Sequence, residues 1–385
     1  MNIMDKSLKL HYDLKGKIEI KSKYDINNKL DLSLVYTPGV ASSCLKIQAE
    51  PDEAYKLTSK HNTVAVISDG SAVLGLGNIG PLAAIPVMEG KCALFKRFAG
   101  VDAIPIVLDT QDTEEIIKTI TYLAPSFGGI NLEDISAPRC FEIERRLREL
   151  LHIPVFHDDQ HGTAIAVGSA LLNALRFLGK KIEKVKIIVN GAGSAGVAIS
   201  TFLMKLGAKN IVVCDRFGII STDDERLNET QRNLAKISNP NKEKGLLIDA
   251  FLDADVFIGV SAGHIVNQDM IHKMNKDAIV FALANPMPEI EREDALNAGV
   301  RIYGSGVSNQ PNQINNAIVF PGLFKGALES KIEQITEDIE IAVCYALSNI
   351  IPQNELNEEY IIPDIFNEDI SKTIIRAVYK VSHKQ

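Results

Sequence analysis

Tryptophan is absent from the 385-residue chain, and aromatic residues make up only 6% of it. That leaves little material for the stacking platforms that bind bases. Five cysteines, Cys44, Cys92, Cys140, Cys214 and Cys344, are scattered with no C-x-x-C spacing. A disulfide framework and a zinc knuckle are excluded, and buried thiols in a reducing compartment are expected. There is no basic excess. Lys and Arg number 41 against 49 Asp and Glu, a net charge of −8, so no nucleic-acid partner is expected. No apolar run approaches the roughly 20 residues of a membrane span. The longest, Val256–Val260 and Ala278–Ala284, are strand-sized. Residues 1–14 mix Lys and Asp without an apolar core, which does not read as a signal peptide. A soluble, cytoplasmic protein with no membrane partner is the expectation.

What is present is globular. Hydrophobic residues make up 46% and charged residues 23%, and the length predicts two or three domains. Thr63–Ser68 and Ile104–Leu108 read as buried strands. Thr113–Leu123 reads as a helix opened by Glu114 and Glu115, which suits the helix dipole. Arg139–His152 reads as a charged amphipathic helix, and Gly162–Leu178 as an apolar one with Gly179 as its C-cap. From Val185 onward, strand-sized runs alternate with helices: Val185–Val189, Ala195–Leu206, Ile211–Cys214, Asp255–Val260, Ala278–Leu283, Asp294–Ala298 and Val300–Tyr303. That alternation predicts an α/β fold with a parallel, doubly wound sheet. Phe324, Leu328, Ile332, Ile335, Ile339, Val343, Leu347 and Ile350 form one apolar helical stripe, and Ile370–Val381 a second apolar helix.

G-x-G-x-x-G occurs twice, at Gly75, Gly77, Gly80 and at Gly191, Gly193, Gly196. The second follows a predicted strand and opens a predicted helix. Asp215 stands nineteen residues after Gly196, at the end of the next strand. This is the arrangement for a dinucleotide. Gly191 makes the tight turn, Gly193 admits the pyrophosphate, Gly196 packs helix on strand, and Asp215 bonds the ribose. Ser194 and Ala195 open the helix whose amides face the phosphates. The first fingerprint is followed at once by Pro81, with no βαβ unit ending in an acid around it, and reads as a tight turn near a site.

Two carboxylate pairs, Glu133 with Asp134 and Asp158 with Asp159, suit an oxygen-rich site for a hard divalent cation, if they meet in space. Taken singly, each also reads as a solvated loop or a helix cap. His157 and His161 are four apart, but position 158 is Asp where the zinc-protease spacing needs Glu. Lys91 lies in an apolar setting where burial or nearby cations would depress its pKa for base work. It also reads as a snorkelling surface lysine.

Taken together, these segments resemble the malic enzyme family, particularly its short bacterial form. The stretches are LVYTPGVA (34–41), ISDGSAVLGLGNIGPLAAIPVMEGKCALFKRFAGVDAIPI (67–106), INLEDI (130–135), PVFHDDQHGTAIA (154–166), NGAGSAG (190–196), VVCDR (212–216), FALANPMPE (281–289) and NNAIVFPG (315–322). They run in the family's order over most of 34–322.

The resemblance implies oxidative decarboxylation of (S)-malate to pyruvate and carbon dioxide, with reduction of NAD or NADP, and decarboxylation of oxaloacetate as a second activity. It implies Mg2+ or Mn2+ held by Glu133, Asp134 and Asp159. Lys91 matches the general base, Tyr36 the general acid, and Asp158 a carboxylate beside the lysine. Asn285 and Asn316 match substrate-binding amides, with Asn285 also facing the cofactor. It implies a substrate and metal domain over 1–160, a Rossmann-type NAD(P) domain over 161–320 and a helical tail over 321–385 that packs on both, in a homodimer. In one place the sequence departs from the family. Longer members carry a carboxylate-clamping arginine where this chain has Ala72, which leaves Ser71, the Gly75–Gly77 amides and Asn316 as candidates. Asp215 favours NAD, whereas Arg216 after it offers a charge for the phosphate of NADP. Malolactic chemistry and a non-catalytic nucleotide sensor on the same scaffold are the alternative readings.

Overall fold

Two parallel sheets organise residues 2–384, the residues described in a computed structural model. The first has four strands, β1 (Thr63–Ser68), β2 (Asp102–Val107), β3 (Gly129–Leu132) and β4 (Val155–His157), in the order β2-β1-β3-β4. The second has six, β5 (Lys186–Asn190), β6 (Asn210–Asp215), β7 (Gly218–Ile219), β8 (Val256–Gly259), β9 (Ile279–Ala282) and β10 (Ile302–Ser305), in the order β10-β9-β8-β5-β6-β7. Every residue of β1, β5, β8 and β9 is buried. Helices cover both faces of such sheets, so their strands read as unbroken apolar runs. The expected doubly wound parallel sheet is present, with one addition. The two-residue β7 turns back antiparallel on β6 at the sheet edge.

The chain leaves β5 toward β6 on one side and resumes at β8 on the other. A crevice opens above the carboxyl ends at such a reversal, where α/β sheets bind ligands.

The Thr163–Leu178 helix is buried along most of its length and ends at Gly179 in the left-handed conformation. Just before it, Asp158–Gly162 forms a π-helical turn that the sequence pattern did not predict. The predicted single stripe over 324–350 is two helices, Phe320–Ser330 and Glu337–Ser348, separated at Lys331, which has φ 50°. Ile335 and Ile339 remain buried, so the apolar spacing is kept across the break.

A helix absent from the periodicity reading covers Pro81–Ala99. Pro86 and Gly90 lie inside it and disguise it, although Ala84, Met88, Cys92 and Phe95 carry helical spacing and are its buried residues. It connects β1 to the parallel β2. The first glycine fingerprint therefore sits in a βαβ unit, one whose second strand ends at Val107 and not at an acid.

The C-terminal helices complete the first region's core. The ring of Phe95 packs on Phe320 at 4.6 Å and on Phe324 at 5.5 Å. One continuous cluster includes Val64, Phe95, Ile187 and Phe324, so the two sheets share a core. By contrast, the helices Ile3–Leu14, Lys29–Val35 and Val40–Ala49 bury none of their residues. Four of the five cysteines are buried and all are free thiols. No helix among the described residues is long and apolar enough to cross a membrane.

Candidate active site

The carboxyl ends of β3 and β4 deliver the two acidic pairs. Glu133 and Asp134 follow β3, and Asp158 and Asp159 enter the π turn after β4. Glu133 and Asp158 are fully buried, Asp134 nearly so. Asp134 donates its backbone N–H to Asp159 Oδ2 at 2.8 Å. Gly162 makes room for this turn, since a Cβ there would lie 1.9 Å from Asp158 Oδ1.

Lys91 reaches the cluster from the Pro81–Ala99 helix. Its Nζ lies 2.6 Å from Asp158 Oδ2, 3.1 Å from Glu133 Oε1 and 3.2 Å from Asn316 Oδ1. It also sits 4.7 Å from the centre of the Phe320 ring, which shields it on that side. Four predicted residues from distant segments, Lys91, Glu133, Asp158 and Asn316, thus meet at one nitrogen.

The electrostatics differ from the expected depressed lysine. Burial does work to lower the Lys91 pKa, but Asp158, Glu133 and Asp159 outweigh it and raise it above the ordinary lysine value. The carboxylates are raised too. Burial, reinforced by Asp159, pushes Asp134 up to about 8. Burial also raises Glu133 and Asp158, against the opposing pull of Lys91. One lysine faces four carboxylates, and Asp134 Oδ2 and Asp158 Oδ1 are buried without hydrogen-bond partners. This surplus of negative charge and free oxygen is what a divalent cation satisfies. Among the described residues, no three His, Cys, Asp or Glu side chains already converge on a metal position. The donors are clustered but not preformed.

The zinc spacing of His157 and His161 has another purpose. His161 bridges a Glu144 oxygen at 3.0 Å and Glu340 Oε1 at 3.1 Å. Burial works to lower its pKa, and the two glutamates outweigh burial and push it up to about 10. A doubly protonated imidazole has no lone pair for a metal. Glu144 also accepts the His157 backbone N–H and a bond from Gln160, so this trio clamps the turn that carries Asp158 and Asp159. Nothing in the sequence pattern marked Glu144 or Glu340.

Two predicted residues are placed differently. The Ser71 hydroxyl donates to Asp69 Oδ1 at 2.5 Å and accepts from Ser136 N and Arg139 Nη2, so its proton is already committed within the protein. Arg139, which also donates to Ser136 Oγ in this network, is neutralised by Asp69 Oδ2 at 2.9 Å. Tyr36 is 67% exposed, and no hydrogen bond joins it to the Lys91 cluster.

The dinucleotide candidates occupy the predicted crevice. Gly191 has φ 123°, and a Cβ on Gly196 would lie 1.6 Å from Gly191 O. Nothing lies within 4 Å of a Cβ on Gly193, leaving room for a pyrophosphate. Ser194 and Ala195 begin the Ser194–Lys205 helix, which has no side-chain cap, so its first amides face the opening. Asp215 Oδ1 accepts the Phe217 N–H at 2.8 Å, and the Arg216 guanidinium lies 4.7 Å from the Phe217 ring centre. Asn285 donates to Leu283 O, and its own carbonyl oxygen would lie 2.6 Å from a Cβ on Gly75. The first glycine loop therefore abuts the second sheet's Asn285 loop.

Comparison with known proteins agrees with this layout. Residues 15–118 and 110–148 match the family model described as malic enzyme, N-terminal domain. Residues 160–383 match malic enzyme, NAD binding domain. A relative from Geobacillus stearothermophilus named NAD-dependent malic enzyme is 51% identical over 384 residues, covering 100% of this chain and 80% of its own length. One from Bacillus subtilis, named bifunctional malic/malolactic enzyme, is 48% identical, covering 99% of this chain and 93% of its own. The crystal structure of an NAD-dependent malic enzyme from Thermotoga maritima superposes with a TM-score of 0.94 at 48% identity, over 97% of this chain and 98% of that one.

Proposed function

The chain belongs to the malic enzyme family, and we propose that it performs the family's reaction at the site assembled around Lys91. That reaction is the NAD(P)-dependent oxidative decarboxylation of malate to pyruvate and carbon dioxide. The carrying observation is the meeting of Lys91, Asp158, Glu133 and Asn316 at the ends of β3 and β4. Glu133, Asp134 and Asp159 are the residues that would hold Mg2+ or Mn2+, which would supply Lewis-acid polarisation and offset the surplus carboxylate charge.

The carboxylate field that raises the Lys91 pKa would be offset by a cation at Glu133, Asp134 and Asp159, and the neutral Nζ would then take the C2 hydroxyl proton. Asp158 and Asn316 fix its position, and Phe320 keeps water from its flank. Gly191, Gly193, Ser194, Ala195 and Gly196 hold the pyrophosphate, Asp215 the ribose, and Asn285 lies between cofactor and substrate. We favour NAD because a carboxylate at Asp215 repels a 2′-phosphate. Arg216 is the residue through which NADP would be accepted. The Gly75–Gly77 amides and Asn316 remain the candidates for the distal malate carboxylate, Ser71 having spent its hydroxyl on Asp69.

Tyr36 is the acid that protonates C3, and it acts in the site of a second copy. Its exposure, together with the unburied apolar residues of the first three helices, supports a homodimer that covers this segment. The functional division is substrate and metal over 1–160, dinucleotide over 161–320 and the helical remainder over 321–385. Free, mostly buried thiols fit a cytoplasmic setting.

Initial rates of NAD and NADP reduction with (S)-malate and Mn2+ test the activity, and the absence of malate-dependent reduction with either would refute it. Mixing Tyr36→Phe with Lys91→Ala chains tests the shared site. Up to about a quarter of full activity returns if Tyr36 serves the partner, and none if it serves its own chain. The Bacillus subtilis relative's name motivates a second reading, malolactic turnover. Lactate formed without net reduced cofactor would reveal it.

A further inference from the structure

Glu289 is a fully buried carboxylate with no ion-pair partner among the described residues. We propose that it is a positioning residue for the nicotinamide end of the dinucleotide, tying the loop after β8 to the loop after β9. The inference rests on the dinucleotide reading above.

Glu289 Oε1 accepts the Ser261 N–H at 3.1 Å, and Oε2 accepts the Ala284 N–H at 3.0 Å. One carboxylate thus bridges both loops through their backbones. Its seat requires a glycine at the end of β8, since a Cβ on Gly259 would lie 2.3 Å from Glu289 Cδ. Ser261 in turn accepts a 2.7 Å bond from Asn190 Nδ2, the last residue before Gly191. On the other side, Ala284 precedes Asn285, whose carbonyl packs against Gly75. A continuous path runs from the phosphate turn through Ser261 and Glu289 to the loop that meets the malate region.

Burying an unpaired carboxylate is costly, and an apolar side chain would make a cheaper filler. Two backbone N–H donors would be orphaned without it. What the carboxylate alone provides is two acceptors at a fixed separation. In the family's reaction the loops after β8 and β9 lie beside the crevice, where the nicotinamide must approach C2 of malate. A small displacement there costs rate steeply.

The test compares Glu289→Gln with the unsubstituted chain. Glutamine keeps the shape but turns an NH2 toward one of the two amides. Four quantities are measured: malate-dependent NAD reduction, NADH affinity, inhibition by ADP-ribose, and Mn2+-dependent decarboxylation of oxaloacetate without dinucleotide. We expect kcat/KM for NAD to fall about 10²-fold and NADH to bind more weakly. ADP-ribose inhibition and oxaloacetate decarboxylation should stay near their original values. Ser261→Ala, which removes only the Asn190 bond, should show the same pattern at smaller size, and it serves if Glu289→Gln does not fold. Unchanged NAD reduction in both variants overturns the inference, as does a parallel loss of all four quantities. An unsubstituted chain that fails to reduce NAD or NADP with malate overturns the family activity, and the inference with it.

Discussion

The two glycine loops share one spacing but are glycine-rich for different reasons. In the Gly191 loop the tightest constraint is internal, although a Cβ on Gly191 would also lie 2.7 Å from Val260 O. Gly196 is pressed against Gly191 O, while Gly193 faces open space. In the Gly75 loop it is external. Gly75 is pressed against the carbonyl of Asn285, more than two hundred residues away, and Gly77 and Gly80 are unobstructed. The first pattern leaves open space at Gly193 before a helix with no side-chain cap. The second lets one sheet's loop touch the other's. Both loops precede a helix after a parallel strand, so local context alone does not separate them. The difference teaches that one spacing can leave an open helix entrance in one region and make a contact between two loops in another.

That contrast predicts separable failures. The largest belongs to the chemistry beside the first loop. Lys91→Ala should cut kcat by about 10³-fold, as loss of a general base does, while leaving NADH affinity within about threefold. A matching loss of NADH binding would break the separation. Gly196→Ala is its mirror. The collision with Gly191 O should cost about 3 kcal/mol in the loop and weaken NADH about 10²-fold. Oxaloacetate decarboxylation, which uses no hydride acceptor, should persist. Asp159→Asn should raise the Mn2+ needed for half-maximal rate by about tenfold, at little change in NADH affinity; an unchanged titration removes Asp159 from the ligand set. Gly75→Ala should lower kcat about tenfold through misplacement of the Asn285 loop. Gly77→Ala is the smallest, about 1 kcal/mol of left-handed backbone strain and no steric clash. Thermal melts of those two glycine variants sharpen the comparison. If Gly77→Ala proves as damaging to turnover as Gly75→Ala, the contact with Asn285 is not what the first loop is for.

Much of the fold was legible because most of its strands are buried along their whole length and read as continuous apolar runs; β2, expected to be buried, is the exception, with none of its residues fully buried. The Thr113–Leu123 helix, with its acidic first turn and Asp112 cap, has the predicted bounds. The Pro81–Ala99 helix was hidden by Pro86 and Gly90, residues that packing of Met88 and Phe95 overrides. The break at Lys331 was hidden for the opposite reason, since the apolar spacing runs on through a turn. At the site, Lys91 and both acidic pairs were identifiable by their place in motifs. Glu144 and Glu340 were not, because their partners lie in distant elements, and Asp69 and Glu289 lie inside the matching stretches without any local signal of the bonds they make.

The sequence by itself therefore determined the family and the α/β fold class, and it named the side chains that meet around Lys91. Each of these rests on residues close together along the chain, whose spacing and chemistry survive without knowledge of their neighbours. Only the tertiary structure decided the direction in which the Lys91 pKa is displaced, the commitment of Ser71 to Asp69, the exposure of Tyr36 and the use of His161 as a clamp. Those outcomes depend on electrostatic fields, hydrogen bonds and contacts formed when remote segments meet, and a field at a buried atom is set by everything around it in space.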